Sequence, residues 1–221
     1  MLALLGDSLP YSLEGLLGLR AHFNHSVWPA PLIIFAVLPA ILPLHGAGHA
    51  SARFMPPWIL AVCWLFCGLV TQHRFIAMLD WSAVYSGWLC VLQAALLVAA
   101  SLWKPGRPHV QKPTSKASGL LLMAAAWLLL PLLQWLWGTP PESIMLVGSD
   151  PGATALFTAG WLILHGGRWW LWPLPLAWIL IEFAIGLGLG YIPAMTALPL
   201  TVAAGILHLR ARKKAAAPGC P

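Results

Sequence analysis

Charge is what this chain has least of. Of its 221 residues, 8% are Asp, Glu, Lys or Arg, where a soluble domain carries about a quarter. Acidic residues are the scarcest, six against twelve Lys and Arg. So little polar cover excludes a globular domain dissolved in water. The four cysteines make no disulfide scaffold: Cys63, Cys67 and Cys90 sit inside apolar runs and Cys220 in the tail, so they do not report a redox compartment. Residues 1–8 carry Asp7 and no basic residue, unlike the positive start of a secretory signal. Also missing are H-E-x-x-H, G-x-S-x-G, a Walker glycine loop and C-x-x-C-H, so metalloprotease, nucleophile-elbow hydrolase, nucleotide and haem-attachment signatures are absent. The Gly186-Leu-Gly188-Leu-Gly190 run lacks a strand–helix context and reads as a packing feature.

What fills the chain instead is apolar: 60% of residues, with a mean hydropathy of +0.80. Lipid is the solvent such a composition requires. The runs fall at 27–44, 57–79, 82–103, 117–137, 151–166, 169–187 and 192–209, against the roughly 20 helical residues that cross the hydrocarbon core. They are continuous rather than alternating, which argues against a transmembrane barrel. The fold expected is therefore all-α, a polytopic membrane bundle of about seven transmembrane helices, with 27–209 as one domain. The fifth run is the shortest. Asp150 as N-cap, Pro151 at the first helical position and Gly166-Gly167 as a stop mark it as a helix all the same.

Residues 1–26 precede the bundle. Within 9–25, Leu13, Leu16, Leu17, Leu19 and Phe23 form an imperfect apolar side, with Glu14 and Arg20 polar. This is the pattern of a short interfacial helix lying on a leaflet. Segment 104–116 reads as an exposed loop and 210–221 as a basic tail. Placing that loop in the cytoplasm gathers Arg53, Lys104, Arg107, Lys112, Lys116, Arg168, Arg210, Arg212, Lys213 and Lys214 on one side. Arg20 and Arg74 fall opposite, with Asp7, Glu14, Asp80, Glu142 and Asp150. The positive-inside rule then gives N-terminus outside and C-terminus cytoplasmic, in a bacterial inner membrane, for an odd number of crossings. Net charge is +6, but the basic residues are loop tags, so the partner expected is the lipid bilayer, with other membrane subunits open and nucleic acid excluded. Trp28, Trp81, Trp135 and Trp137 at one set of ends, and Trp58, Trp103, Trp169, Trp170 and Trp172 at the other, fit aromatic belts. Trp64, Trp88, Trp127, Trp161 and Trp178 lie deeper and read as core packing.

Ionisable groups inside the hydrocarbon are the functional candidates, because placing them there costs free energy. Glu182 is the clearest, with Gly186 and Gly190 along its face to let another helix approach. It is either a proton- or cation-handling carboxylate or a structural one paired with Arg74 or a backbone carbonyl. His73, Arg74 and Asp80 fall at the same depth, and Asn24 and His25 approach it from the N-terminal helix. Imidazoles and carboxylates at one depth are what a metal site, a haem ligand pair or a proton relay needs, with His25 and His73 as ligands. The alternative is hydrogen bonding to headgroups and helix ends. Cys63 and Cys67 are i and i+4, but His73 lies roughly 80–120° around the helix from them, so the thiols read as small core residues. His45-x3-His49 lies in a glycine-rich turn, and His165 and His208 close helices near their C-termini.

Three blocks carry a resemblance. Phe23-Asn24-His25-Ser26-Val27-Trp28-Pro29-Ala30 resembles the Asn-x-x-Val-Trp-Pro opening of an uncharacterised, domain-of-unknown-function family of bacterial multi-pass inner-membrane proteins. Trp64-x3-Gly68-x4-His73-x-Phe75 is similar to a second block of that family, with Asp80-Trp81-Ser82-Ala83 where the family tends to Ile-Asn-Pro-Ala. Pro151-Gly-Ala-Thr154-Ala-Leu-Phe157-Thr158-Ala-Gly160 resembles its Phe-Thr-x-Gly motif, with Gly152 interrupting the Pro-Thr, and Pro175-Leu176-Ala177-Trp178 follows. The resemblance spans most of 20–207 and implies a helical inner-membrane protein with Asn24, Trp28 and His73 as pattern positions. It implies no activity. The functions in contention are a non-enzymatic, permease-like handler of a small solute or metal ion, with a vestibule of His25, His73, Asp80 and Glu182, and a haem-binding or accessory subunit of a redox complex. An intramembrane enzyme has no visible nucleophile–base pair behind it.

Overall fold

A computed structural model describes residues 9–40, 51–103, 113–165 and 168–216. His45, His49, the stop at Gly166-Gly167, Cys220 and most of loop 104–116 lie outside the described residues. Among those described the chain is helical and has no strand. The elements are α1 (Leu13–Val27), α2 (Ala30–Val37), α3 (Ser51–Leu65), α4 (Ala83–Leu102), α5 (Pro113–Ala124), α6 (Leu130–Leu136), α7 (Pro151–His165), α8 (Pro173–Leu189), α9 (Ile192–Met195) and α10 (Ala197–Ala216).

Five stretches among the described residues are long and apolar enough to cross a membrane: Met55–Met78, Ala83–Leu102, Ala117–Leu136, Trp169–Leu189 and Ile192–Arg210. Their limits fall within a few residues of the hydropathy runs. Of the two other crossings expected, 27–44 lies partly outside the described residues. The other, 151–166, is the 15-residue α7, about 22 Å long by helical rise against about 30 Å of hydrocarbon. Length alone does not carry it across. Its place explains the shortness: every residue from 151 to 164 is buried, so α7 faces protein all round. The five long stretches do the reverse. Val62, Leu69, Leu92, Leu121, Leu180 and Leu207 are exposed along them, an apolar exterior that only lipid makes favourable.

Without a hydrophobic force between helices in lipid, close packing holds them. α5 and α7 meet backbone to backbone: a Cβ on Gly119 would lie 2.7 Å from the Gly160 carbonyl oxygen, and one on Gly160 2.8 Å from that of Gly119. Trp64 of α3 reaches α7, its Nε1 donating to Thr158 Oγ1 at 3.0 Å. Of the deep tryptophans, Trp64, Trp161 and Trp178 are core residues as expected, whereas Trp88 is exposed.

Two helices widen. α3 continues as a π-helix over Phe66–Phe75, and α5 joins α6 through a π-helical turn, Ala125–Leu129. Pro131 accounts for the second, because its ring collides with the carbonyl a turn back and it offers no N–H. The first turns Thr71 and Gln72 inward, where both are buried.

Segment 138–150 links α6 to α7 with no regular structure beyond one 3-10 turn, Pro141–Ser143, and Ser143, Met145, Val147 and Ser149 in it are buried. Irregular backbone at such depth survives only when protein satisfies its polar groups, and here side chains do so. Gln134 Nε2 donates to the Met145 carbonyl and its Oε1 accepts from the Met145 N–H, both at 3.0 Å. Asn24 Nδ2 donates to the carbonyls of Glu142 (2.7 Å) and Ile144 (2.9 Å), and Thr71 Oγ1 to that of Ser149 (2.8 Å). Gly148 completes the turn at φ +92°, where a Cβ would also strike Ile34.

Candidate functional site

α1 begins at Ser12, whose Oγ accepts from the Gly15 N–H at 3.2 Å, an N-cap. It is not simply a surface helix. Leu16, Arg20 and Phe23 share its buried face, at i, i+4 and i+7. Phe23 packs edge-on against Phe75 (5.1 Å) and Phe66 (6.1 Å). The reading that put Arg20 with Glu14 on a polar side is corrected: Arg20 is 8% exposed and turns into the protein.

It turns into a cavity of about 330 Å³, bordered by α1 with Leu9 and Tyr11, and walled by the π-helical continuation of α3 with Ile76, the start of α4, segment 138–150 and α8. Four charged side chains line it: Arg20, Asp80, Asp150 and Glu182. Arg20 Nη2 stands 3.9 Å from Asp150 Oδ1, and its guanidinium lies 5.6 Å from the centre of the Tyr191 ring. Burial alone pulls the guanidinium down, but Asp150 and then Glu182 more than reverse this, holding Arg20 above its ordinary value and charged. Asp150 also keeps the role read from sequence, its Oδ2 accepting from the Ala153 N–H at 3.0 Å to cap α7. Asp80 Oδ1 accepts from the Ser82 N–H at 2.9 Å. Tyr11 closes the cavity near these carboxylates, and its phenol is pushed up to about 12, mainly by burial, with Glu182 and Asp80 adding and Arg20 opposing.

Glu182 approaches from α8 and lies against α7 at Gly152. A Cβ there would run into the Glu182 side chain, with Cδ 2.8 Å and Cβ 3.2 Å away and Cγ closer still. The glycine that interrupts the Pro-Thr pattern is thus the notch that receives the carboxylate. Behind it a void of about 20 Å³, bounded by Arg20, Gln134, Asp150 and Tyr191, has room for one water. Gly186 brings 191–195 close, with the Tyr191 carbonyl and Ala194 Cβ 3.0 Å from where its Cβ would be. Gly190 does not extend that face. It ends α8 at φ +66°.

Of the residues singled out from sequence, Asp80 and Glu182 share this cavity. The others lie elsewhere. His25 is exposed. His73 is half-buried, edge-on to Trp88 at 5.2 Å, and covers Gly87, where a Cβ would collide with its ring; its Nε2 has no hydrogen-bond partner. Arg74 is exposed, its guanidinium 5.6 Å from the Phe75 ring, so Glu182 faces Arg20 and not Arg74. Asn24 clamps segment 138–150. Among the described residues no three His, Cys, Asp or Glu side chains are grouped to hold a metal ion, and neither His25 nor His73 lines the cavity. Cys63, Cys67 and Cys90 are buried free thiols, Cys67 bonded to the Gly148 carbonyl at 3.4 Å. His165 Nδ1 meets the Trp161 carbonyl at 3.0 Å, the helix-end role expected of it.

Sequence reasoning missed Arg20 as a site residue, along with Tyr11, Gln72 and Gln134. The signal for Arg20 was its spacing from Leu16 and Phe23. For Gln134 it was an amide inside an apolar span. The chain matches no protein-family model, no curated protein and no solved structure.

Proposed function

We propose that this helical membrane protein handles a small solute, in the manner of a permease rather than an enzyme, and that the cavity bounded by Arg20, Asp80, Asp150 and Glu182 is where the solute sits. The cavity carries the reading. Four ionisable side chains facing a space of about 330 Å³ between apolar helices are costly to maintain in lipid unless they serve a polar occupant, and the volume suits a small molecule. The widened turn at Thr71 and Gln72 and the buried irregular segment 138–150 support it. Solute sites in transporters are lined by broken helices and unwound backbone. With 27–44 as the first crossing and α7 as a short, protein-embedded one, the odd count matches the positive-inside assignment. On that reading the cavity faces outward, the tail is cytoplasmic and the membrane is a bacterial inner membrane. Membership of the uncharacterised family belongs to the same proposal and adds no activity. Nothing at the cavity favours the haem alternative, since neither His25 nor His73 lines it.

The test is uptake of a panel of labelled small solutes into proteoliposomes by wild type and by Ser86→Trp, which fills the half-buried cavity wall. A solute accumulated by wild type and not by a Ser86→Trp protein of unchanged melting temperature is the expected outcome. Identical uptake by both for every solute would remove the cavity from the mechanism.

A further inference from the structure

Resting on the reading of this cavity as a solute site, we propose that its occupant is a small organic cation, an ammonium group on an apolar body, with Glu182 as the counter-ion. The lining holds three carboxylates, Asp80, Asp150 and Glu182, against one guanidinium, Arg20, an excess of two negative charges when all are ionised. The three acids are not equivalent. Asp150 is engaged with Arg20 and with the N-terminus of α7. Asp80 accepts from the Ser82 N–H. Glu182 is 8% exposed and, among the described residues, takes no hydrogen bond and no ion pair. Its carboxylate faces the cavity, beyond hydrogen-bond reach of the described side chains, and it is held there by the Gly152 notch. A buried carboxylate left so is a large cost, which an entering cation removes.

The rest of the wall selects the kind of cation. Leu9, Ile76, Met145, Ile181 and Ile185 give the cavity an apolar flank, unsuited to a hydrated ion. Trp178 and Tyr11 line it too, and aromatic faces attract ammonium groups. A bare divalent ion needs several ligands around one point, and the described residues group no three that way. Arg20 disfavours a second cation beside Asp150, so one ammonium at Glu182 is the stoichiometry that results.

The experiment is calorimetric titration of the full chain in lipid nanodiscs with three probes of one shape: 2-phenylethylamine, 2-phenylethanol and phenylacetate. The expected result is saturable binding of the amine, at least tenfold tighter than either isostere. Glu182→Gln should weaken the amine tenfold or more and leave the alcohol unchanged, and Asp80→Asn should weaken the amine less. The wild-type comparison needs no variant, so the proposal stays exposed even where a substitution impairs folding. Equal or tighter binding of the alcohol or the acid overturns the cation assignment and leaves the small-solute reading standing. Amine binding that survives Glu182→Gln unchanged overturns the role of that carboxylate. If none of the three binds to folded protein the inference fails, while the uptake comparison with Ser86→Trp still decides the broader reading.

Discussion

Replacing Gly152 with Ala tests the notch at the centre of the site. A carbon–carbon contact is comfortable at about 3.5–4.0 Å, yet the new methyl would stand 2.8 Å from Glu182 Cδ and 3.2 Å from its Cβ, with Cγ nearer than either. Because Cγ lies mid-chain, the whole side chain must swing off α7. Overpacking of this kind costs about 1–3 kcal/mol. Alanine returns at most about 1 kcal/mol through helix propensity. The net loss, about 1–2 kcal/mol, corresponds to a melting temperature lower by roughly 2–8 °C for a chain of this size. The chain's 14 tryptophans give an intrinsic-fluorescence melt in detergent. Specificity comes from a double-mutant cycle: in a Glu182→Ala background the two closest atoms are gone, so Gly152→Ala should become neutral or stabilising, a coupling of about 1–2 kcal/mol. An equal loss in both backgrounds would refute the contact, and with it the argument that Gly152 exists to seat the carboxylate.

Removing Asn24 or Gln134 frees carbonyls in segment 138–150. Asn24→Ala and Gln134→Ala should each cost about 1–3 kcal/mol and raise deuterium uptake in 142–150 before it rises in α7; unchanged exchange there would refute the clamp. Tyr11 should titrate late. With a folded value of about 12 against an ordinary 10.0, it favours the folded state below pH 10 and loses that contribution as pH rises through 10 to 12. A 295 nm titration should therefore lose its latest phenolate component in Tyr11→Phe. Thiols engineered into 104–116 and into 210–221 should label from the same face of the membrane; labelling from opposite faces would undo the orientation and the outward cavity.

Much of the architecture was legible because the bilayer imposes one length scale. The runs at 57–79 and 82–103 became Met55–Met78 and Ala83–Leu102, since a continuous apolar run in lipid has little choice but helix. The Asp150-Pro151 start of α7 was legible for a local reason, as capping depends on a few adjacent residues. Proximity was legible in one case: Asp80 and Glu182, read as falling at one level, line one cavity. Rotation about the helix axis was not. His73 reads from sequence as level with Asp80, yet it turns to Gly87 and Trp88. Arg20 went astray for a related reason: in isolation an arginine on a short amphipathic helix belongs on the wet side, and only the partners Asp150 and Glu182, far off in sequence, reverse that. The buried course of 138–150 was hidden because its polar groups are satisfied from four other elements, by Asn24, Thr71, Gln134 and Thr154.

The sheltered position of α7 has a consequence for biosynthesis. With residues 151–164 wholly enclosed, the helix leaves the ribosome before α8 and α10, which wall it in, have been translated. Until then it is a stub too short for the bilayer, with the faces that α8 and α10 cover left open. A chain stopped after residue 165 should be a substrate for membrane quality-control proteases, and one that includes α8 and α10 should escape them.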